Sequence, residues 1–243
     1  YFSDELSRIL DVLRKEKKFE LSNLIATNLS NYCSTVLHED SNNGDLGYCV
    51  RSLYFDSYLN ADYEQKLAGD EVRKKIRLRI YHPDDQYAKL EMKQKQSDNQ
   101  RKRSLRVTRE DAKALIDGDY GCLLNYDSPF AMELYQTMSM NFYRPKCVVE
   151  YKRKAYMLEE NNTRVTFDSD IRATESNYDI FDNSLCLYPV YSTERTVLEV
   201  KYNHFLLSYI KDIINSVDKM ETSVSKYCLA RTISLGIEPV FGS

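Results

Sequence analysis

The chain has 243 residues, 42% of them hydrophobic and 29% charged, with a formal net charge of −3. That length suits one large domain or two small ones with a buried core, and the balance is that of a soluble globular protein. A charge so close to zero excludes a chain that is basic overall and binds nucleic acid through bulk charge, so any cationic function must come from where the charges point. No apolar run approaches the roughly 18 residues of a membrane span, and the N-terminus lacks a signal peptide's pattern. The six cysteines form no C-x-x-C pair, which argues against a zinc site and a disulfide scaffold and predicts reduced thiols in the cytosol.

A cap at Ser3 and helical spacing of Leu6, Ile9, Leu10 and Leu13 predict a short N-terminal helix over residues 1–13. A strand follows over 14–21. Ser22 then reads as the N-cap of a second helix with an apolar stripe of Ile25, Leu29, Tyr32, Cys33 and Val36. After a polar loop over 39–47, strands are predicted at 48–56, 74–81 and 87–95, arranged most simply as an antiparallel meander. Thr108 starts a helix ending near Gly118, and Ser128 with Pro129 starts another. A hairpin is predicted from strands 148–158 and 164–168, then a strand over 196–202. Helical spacing predicts a helix from about Asn203, and a last helical stretch contains Ser225, Lys226 and Tyr227. No linker or repeat divides the chain, so a single domain over 1–243 is expected, with strands over 14–202 and helices over 203–243.

The chemistry comes from the strands. Arg14, Glu16 and Lys18; Arg77 and Arg79; and Glu91, Lys93 and Lys95 are spaced two apart and so share a face, leaving Ile76, Leu78 and Ile80 on the other side. A single such run is ordinarily the solvent face of a half-buried sheet, and Glu199 with Lys201 has the bland reading of an exposed ion pair. Several such faces meeting in one fold predict instead a wet cavity for a polyanion, because cations brought together inside a barrel need an anionic ligand, acidic partners or water to offset desolvation and repulsion. Phosphate chains suit Arg and Lys. Carboxylates among the cations suit Mg²⁺ or Mn²⁺, with Glu199, Glu91 and Glu16 as candidate ligands. No glycine-rich phosphate loop is present, so side chains would grip the phosphates. His38, His82 and His204 have no catalytic spacing.

The ordered segments RKEKKF (14–19), YCVRSLYFDS (48–57), EQKLAGDEVRKKIRLRIY (64–81), KLEMKQK (89–95), VEYKRKAY (149–156), TRVTFDSDIRA (163–173), VLEVKY (197–202) and SKY (225–227) resemble the vacuolar transporter chaperone (VTC) domain. That domain belongs to the triphosphate tunnel metalloenzymes, which include the CYTH proteins. The resemblance spans nearly the whole chain and implies an α+β fold: a closed antiparallel β-barrel tunnel of about eight strands with helices packed outside. It further implies transfer of the γ-phosphoryl group of ATP to growing inorganic polyphosphate, with Mn²⁺ or Mg²⁺ as cofactor. By motif, the phosphate-gripping cations are Lys18, Arg77, Arg79, Lys93, Lys102, Arg153, Arg164 and Lys226, with Lys75 and Lys95 as neighbours and Glu199 on the metal. In that alignment Arg101 and Arg103 flank Lys102. The opening strand departs from the family's Glu-x-Glu-x-Lys pattern by carrying Arg14 at the first acid, which weakens a two-metal hydrolase more than a one-metal polymerase.

The expected partners are ATP and inorganic polyphosphate, with a membrane protein at the inner face of a membrane as a further partner and no nucleic acid. The alternatives are a triphosphatase using water as acceptor and a non-catalytic polyphosphate-binding module. Single-stranded RNA binding fits the 20 tyrosines but not the acids among the cations.

Overall fold

The computed structural model describes residues 14–96 and 99–235, so the helix predicted from Ser3 lies outside the described residues. In chain order the elements are β1 (Arg14–Ser22), α1 (Asn23–Val36), β2 (His38–Glu39), β3 (Tyr48–Asp56), α2 (Ala61–Ala68), β4 (Val72–Ile80), β5 (Tyr87–Gln96), β6 (Asn99–Thr108), α3 (Arg109–Asp117), α4 (Pro129–Met140), β7 (Arg144–Leu158), β8 (Thr163–Thr174), β9 (Tyr188–Pro189), β10 (Arg195–Asn203), α5 (Ser208–Asn215), β11 (Met220–Glu221) and α6 (Lys226–Leu235).

Local chemistry sets many of these boundaries. The hydroxyls of Ser22, Thr108 and Ser128 each accept the backbone N–H three residues on, capping α1, α3 and α4. Gly118 ends α3 in the left-handed region at φ 88°. Two elements had no such signal. Helix α2 is short and begins after Asn60, which is left-handed and makes no side-chain cap. Strand β6 (NQRKRSLRVT) lacks a β-branched run and forms because Val107 and Leu105 pack on a core while Lys102 and Ser104 face the other way. The buried face of α1 is Ala26, Leu29, Ser30 and Cys33, so Tyr32 and Val36 of the predicted stripe are exposed. The rotation follows Ser30, whose hydroxyl is hydrogen-bonded at 2.8 Å to buried Tyr156. Helix α5 starts five residues later than predicted and leaves Phe205 exposed.

All strand pairs are antiparallel, in the order β11-β1-β10-β8-β7-β3-β4-β5-β6, with β2 added to β7 and β9 to β8. The expected closed barrel of about eight strands is therefore corrected: among the described residues the sheet has eleven strands and stays open. Strand β1 is paired on one edge by β10 and, at Phe19 and Glu20, on the other by β11, which takes backbone groups that closure onto β6 would need. The sheet nevertheless curls until side chains from distant strands meet, with Lys93 of β5 3.3 Å from Glu16 of β1.

Curling separates two chemistries. On the convex face, Ile76, Leu78, Ile80, Leu90 and Met92 are buried beneath α3, α4 and the short 3-10 turn Tyr120–Asn125. A second convex core places Leu198, Val200 and Val165 beneath α1 and α5. A third apolar cluster lies inside the curl, where Tyr227 of α6 stacks on Tyr54, their ring centres 5.3 Å apart. Asp56 fixes this plug. Its carboxylate accepts the N–H groups of Ser57, Asp62 and Tyr63 and, at 2.6 Å, the Tyr227 hydroxyl, so β3, α2 and α6 are tied at one buried anion. The concave side is thus partly packed, not wet throughout.

Candidate functional site: a cation-lined cavity

The rest of the concave face encloses a cavity of about 970 Å³. All thirteen candidate residues from the sequence line it: Lys18, Lys75, Arg77, Arg79, Lys93, Lys95, Lys102, Arg153, Arg164 and Lys226, with Glu16, Glu91 and Glu199. Strand register explains the convergence. Arg77 lies opposite Glu91, Lys75 opposite Lys93, and Lys93 opposite Lys102 across β4, β5 and β6; Lys18 lies opposite Glu199 across β1 and β10. Residues directly opposite on antiparallel strands present side chains on the same face.

The acids fall into separate groups. Glu91 accepts from Arg77 Nε at 2.6 Å, lies 3.7 Å from Arg79 and is hydrogen-bonded to Lys102. Burial alone would raise its carboxyl, but these three cations bring it down to about 2. Glu91 thus anchors cations of β4 and β6. The flanking Arg103 points to the other face, where it forms a fork with Glu133 of α4 at 2.5 and 2.6 Å, leaving Lys102 as the residue of that trio nearest Glu91.

Glu16 and Glu199 form a second group on β1 and β10. Lys18 Nζ is 3.2 Å from Glu16 and 3.6 Å from Glu199, and Lys201 Nζ is 2.7 Å from Glu199 and 3.9 Å from Glu16. Burial opposes ionisation of Glu199, yet Lys201, Lys18 and Lys226 hold it well below the usual carboxylate range. Glu199 is buried and Lys201 faces the cavity, so the bland reading of this pair as exposed is set aside.

Two acids that sequence reasoning missed hold further cations of the cavity. Asp168 is fully buried and holds Arg153 by a two-pronged contact at 2.6 and 2.7 Å and Lys226 at 2.6 Å. Burial pushes its carboxyl up, and those two cations pull it down to about 2. Alternation from Arg164 through Thr166 to Asp168 was the available signal. Asp40 accepts from Arg164 at 2.7 Å, and nothing local in the polar run 39–47 marks it. That loop is clipped to β7 by paired hydrogen bonds between the Asn43 amide and the Ala155 backbone. At Gly47, φ is +82° and a Cβ would stand 2.3 Å from the Arg153 carbonyl oxygen, so only glycine lets the loop lie against the strand that carries Arg153.

The two ends of the cavity differ. Near one lie Tyr48 and Tyr81, edge to face at 5.9 Å, with Lys89 over the Tyr81 ring. Near the other lie Lys66 of α2, Arg73 and Lys75 of β4 and Lys95 of β5. Asp62, at the start of α2, also lines the cavity. Its Oδ2 accepts from Tyr143 at 2.8 Å, while its buried Oδ1 lies 4.0 Å from Lys74 Nζ and has no hydrogen-bond partner among the described residues. Burial and neighbouring Asp56 raise its carboxyl to about 7, against opposing contributions from the Tyr143 hydroxyl, Lys74 and Lys75.

Among the described residues no three His, Cys, Asp or Glu side chains gather into a metal cage. Mg²⁺ and Mn²⁺ do not require one: one or two carboxylates suffice when phosphate oxygens and water supply the rest. Glu16 and Glu199, brought together by shared lysines, fit that donor set.

Among the described residues no helix is long and apolar enough to cross a membrane. A family model for the VTC domain matches residues 13–235. No curated protein sequence matches the chain. Among solved structures, HpAC1 of Hippeastrum, a proposed adenylyl cyclase described as having a dominant triphosphatase activity, is similar with a TM-score of 0.54 at 12% identity, over 89% of this chain and 94% of that one. A proposed adenylate cyclase of Bacillus halodurans is similar with a TM-score of 0.51 at 10% identity, over 88% and 94%.

Proposed function

Because this chain belongs to the VTC domain family, within the CYTH-like triphosphate tunnel proteins, we propose that it transfers the γ-phosphoryl group of ATP to a growing inorganic polyphosphate chain and releases ADP. The observation that carries this reading is the cavity lining: arginines and lysines from strands all round the curl, set about the Glu16–Glu199 pair.

Phosphoryl transfer of this kind asks for positioning and charge, not a nucleophilic side chain. A terminal oxygen of the chain forms the new bond to the γ-phosphorus, and the bond from that phosphorus to the β–γ bridging oxygen breaks, its electron pair leaving with ADP. Both reactants are polyanions. Arg77, Arg79 and Lys102, held by Glu91, and Arg153 and Lys226, held by Asp168, are preorganised to offset their repulsion and to stabilise charge as it shifts. Glu199 and Glu16 would hold Mg²⁺ or Mn²⁺, which when bound neutralises phosphate oxygens. ATP and polyphosphate are the partners in this reading; we assign the protein to the cytosol, with a membrane protein to receive the chain.

Hydrolysis is the second reading, favoured by the triphosphatase activity described for the Hippeastrum protein on the same fold; water would then replace the chain end as acceptor. Incubating the purified chain with ATP and Mn²⁺ or Mg²⁺, then resolving the products on a polyphosphate gel beside a free-phosphate assay, tests both. Long chains with ADP are expected. Free phosphate alone makes the protein a triphosphatase, and binding without turnover makes it an accessory module.

A further inference from the structure

Three arginines of the cavity are fixed in two different ways. Arg77 lies directly opposite Glu91, and Arg153 directly opposite Asp168, so an acid on the neighbouring strand anchors each. Arg164 has no such neighbour: its partners in register are Met157 of β7 and Lys201 of β10. Lys201 is a like charge, and like charges directly opposite each other on a sheet repel. The anchor for Arg164 comes instead from the loop after β2, where Asp40 Oδ2 accepts from Nη2 at 2.7 Å. The same nitrogen donates to the Tyr48 hydroxyl at 3.2 Å.

Asp40 is itself held on every side. It is buried, and its backbone N–H donates to the Ala155 carbonyl at 3.0 Å, which also accepts from the Asn43 side-chain amide at 2.8 Å. Its second carboxylate oxygen, Oδ1, accepts from the backbone and side-chain N–H groups of Asn42 at 3.0 and 2.6 Å. One oxygen thus grips the loop and the other grips the arginine. Burial opposes ionisation, but the Asn42 hydrogen bonds and then Arg164 hold the carboxyl below its ordinary value, so the anchor is an anion at neutral pH. Arg164 lines the cavity and Asp40 does not. Among the described residues the guanidinium spends only Nη2 on oxygen acceptors; Nη1 meets the Met157 sulfur at 3.9 Å, a weak acceptor. The rest of the fork is left for phosphate oxygens.

We propose that Asp40 is a positioning residue of the phosphate site: it holds the Arg164 guanidinium in place against Lys201 and acts on substrate only through that arginine. The assignment rests on the proposed phosphoryl-transfer reading and is the same whether a chain end or water is the acceptor. It makes the loop over 40–47 part of the frame of the site.

The test is a double-mutant cycle on tripolyphosphate binding, measured by calorimetry for wild type, Asp40→Asn, Arg164→Ala and the double variant. Asp40→Asn keeps the size of the side chain and an oxygen for Asn42 and removes the charge that holds Arg164. Arg164→Ala should weaken binding at least about tenfold and Asp40→Asn about fivefold, with the double variant within about twofold of Arg164→Ala alone. Losses that multiply in the double variant would show Asp40 acting on the fold or on another group and would overturn the assignment, as would unchanged binding in Asp40→Asn. Asn43→Ala, which loosens the loop and leaves the carboxylate, covers the case in which Asp40→Asn does not fold: a loss is expected that disappears when Arg164 is already alanine, and a loss that persists there overturns the assignment. In ATP turnover Asp40→Asn should raise KM by a similar factor with kcat within about twofold, the pattern of lost uniform binding; a fall in kcat at unchanged KM would overturn it. A wild-type chain that binds tripolyphosphate but turns over no ATP would sink the proposed reaction and leave the binding cycle to decide on Asp40. One that binds no tripolyphosphate would sink both.

Discussion

Arginines and lysines line both the centre of the cavity and its α2 mouth, yet the centre is built as close ion pairs, whereas at the mouth Lys66, Arg73, Lys75 and Lys95 join no carboxylate among the described residues and Asp62 stands 4.0 Å from Lys74. Asp168 at the centre is fully buried with Arg153 and Lys226 on it, whereas Lys66 and Arg73 are half-buried and lean on no carboxylate among the described residues. The lesson is that preorganisation and attraction are different uses of charge. Pairing a cation sets its position and blunts its pull; leaving it unpaired keeps the pull and gives up rigidity.

The sharpest way to break that contrast is Asp168→Ala, which strands two cations at the centre. A loss of about 3–5 kcal/mol in urea-unfolding stability is expected, because an uncompensated buried charge costs that much, against less than about 0.5 kcal/mol for Lys66→Ala. The acid limb carries the same signature. Folded Asp168 and Glu91 carboxyls near 2, below their ordinary 3.8 and 4.5, add stability that is present at neutral pH and lost as the pH falls through those values towards 2.

Function should part the regions next. Glu199→Gln is expected to cost at least about 100-fold in metal-dependent turnover, roughly 3 kcal/mol, with the thermal midpoint little changed; an active variant would remove Glu199 from the site. Arg77→Ala should weaken tripolyphosphate binding by about 2 kcal/mol, or roughly 30-fold, measured by calorimetry. A change confined to the salt dependence would place Arg77 outside the triphosphate contacts.

Asp62, beside the mouth, behaves oppositely to the central acids. A carboxyl raised to about 7 from 3.8 stays protonated in the fold where the unfolded chain has already ionised, so it lowers stability as the pH rises from about 4 to 7, fully above 7. Asp62→Asn keeps an acceptor for the Tyr143 hydroxyl and should add about 1–2 kcal/mol at pH 8 and little at pH 4, read from paired urea melts.

Much of the site was legible before any folding, because a two-residue period puts side chains on one face whatever the rest of the chain does. Arg77 with Arg79 and Glu91 with Lys93 and Lys95 were visible in this way, and the capped helices α1, α3 and α4 were visible from Ser22, Thr108, Ser128 and Pro129. What the period cannot say is whether a charged face meets water or another charged face. Asp40, Asp56 and Asp168 show the limit: each acts on residues far along the chain, Asp40 on Arg164 and Asp56 on Tyr227, and no local pattern encodes such a partner.

Sequence alone determined which strands carry charge on one face and aliphatic groups on the other, since that follows from covalent geometry and residue spacing. Only tertiary structure decided that β11 caps an edge of β1, that Glu91 gathers three cations while Glu16 and Glu199 share two lysines, and that Asp62 of α2 comes to line the cavity beside Lys74. The reason is physical: register, curl and helix docking are settled by burying the convex cores, and the charges on the concave side meet wherever that packing brings them.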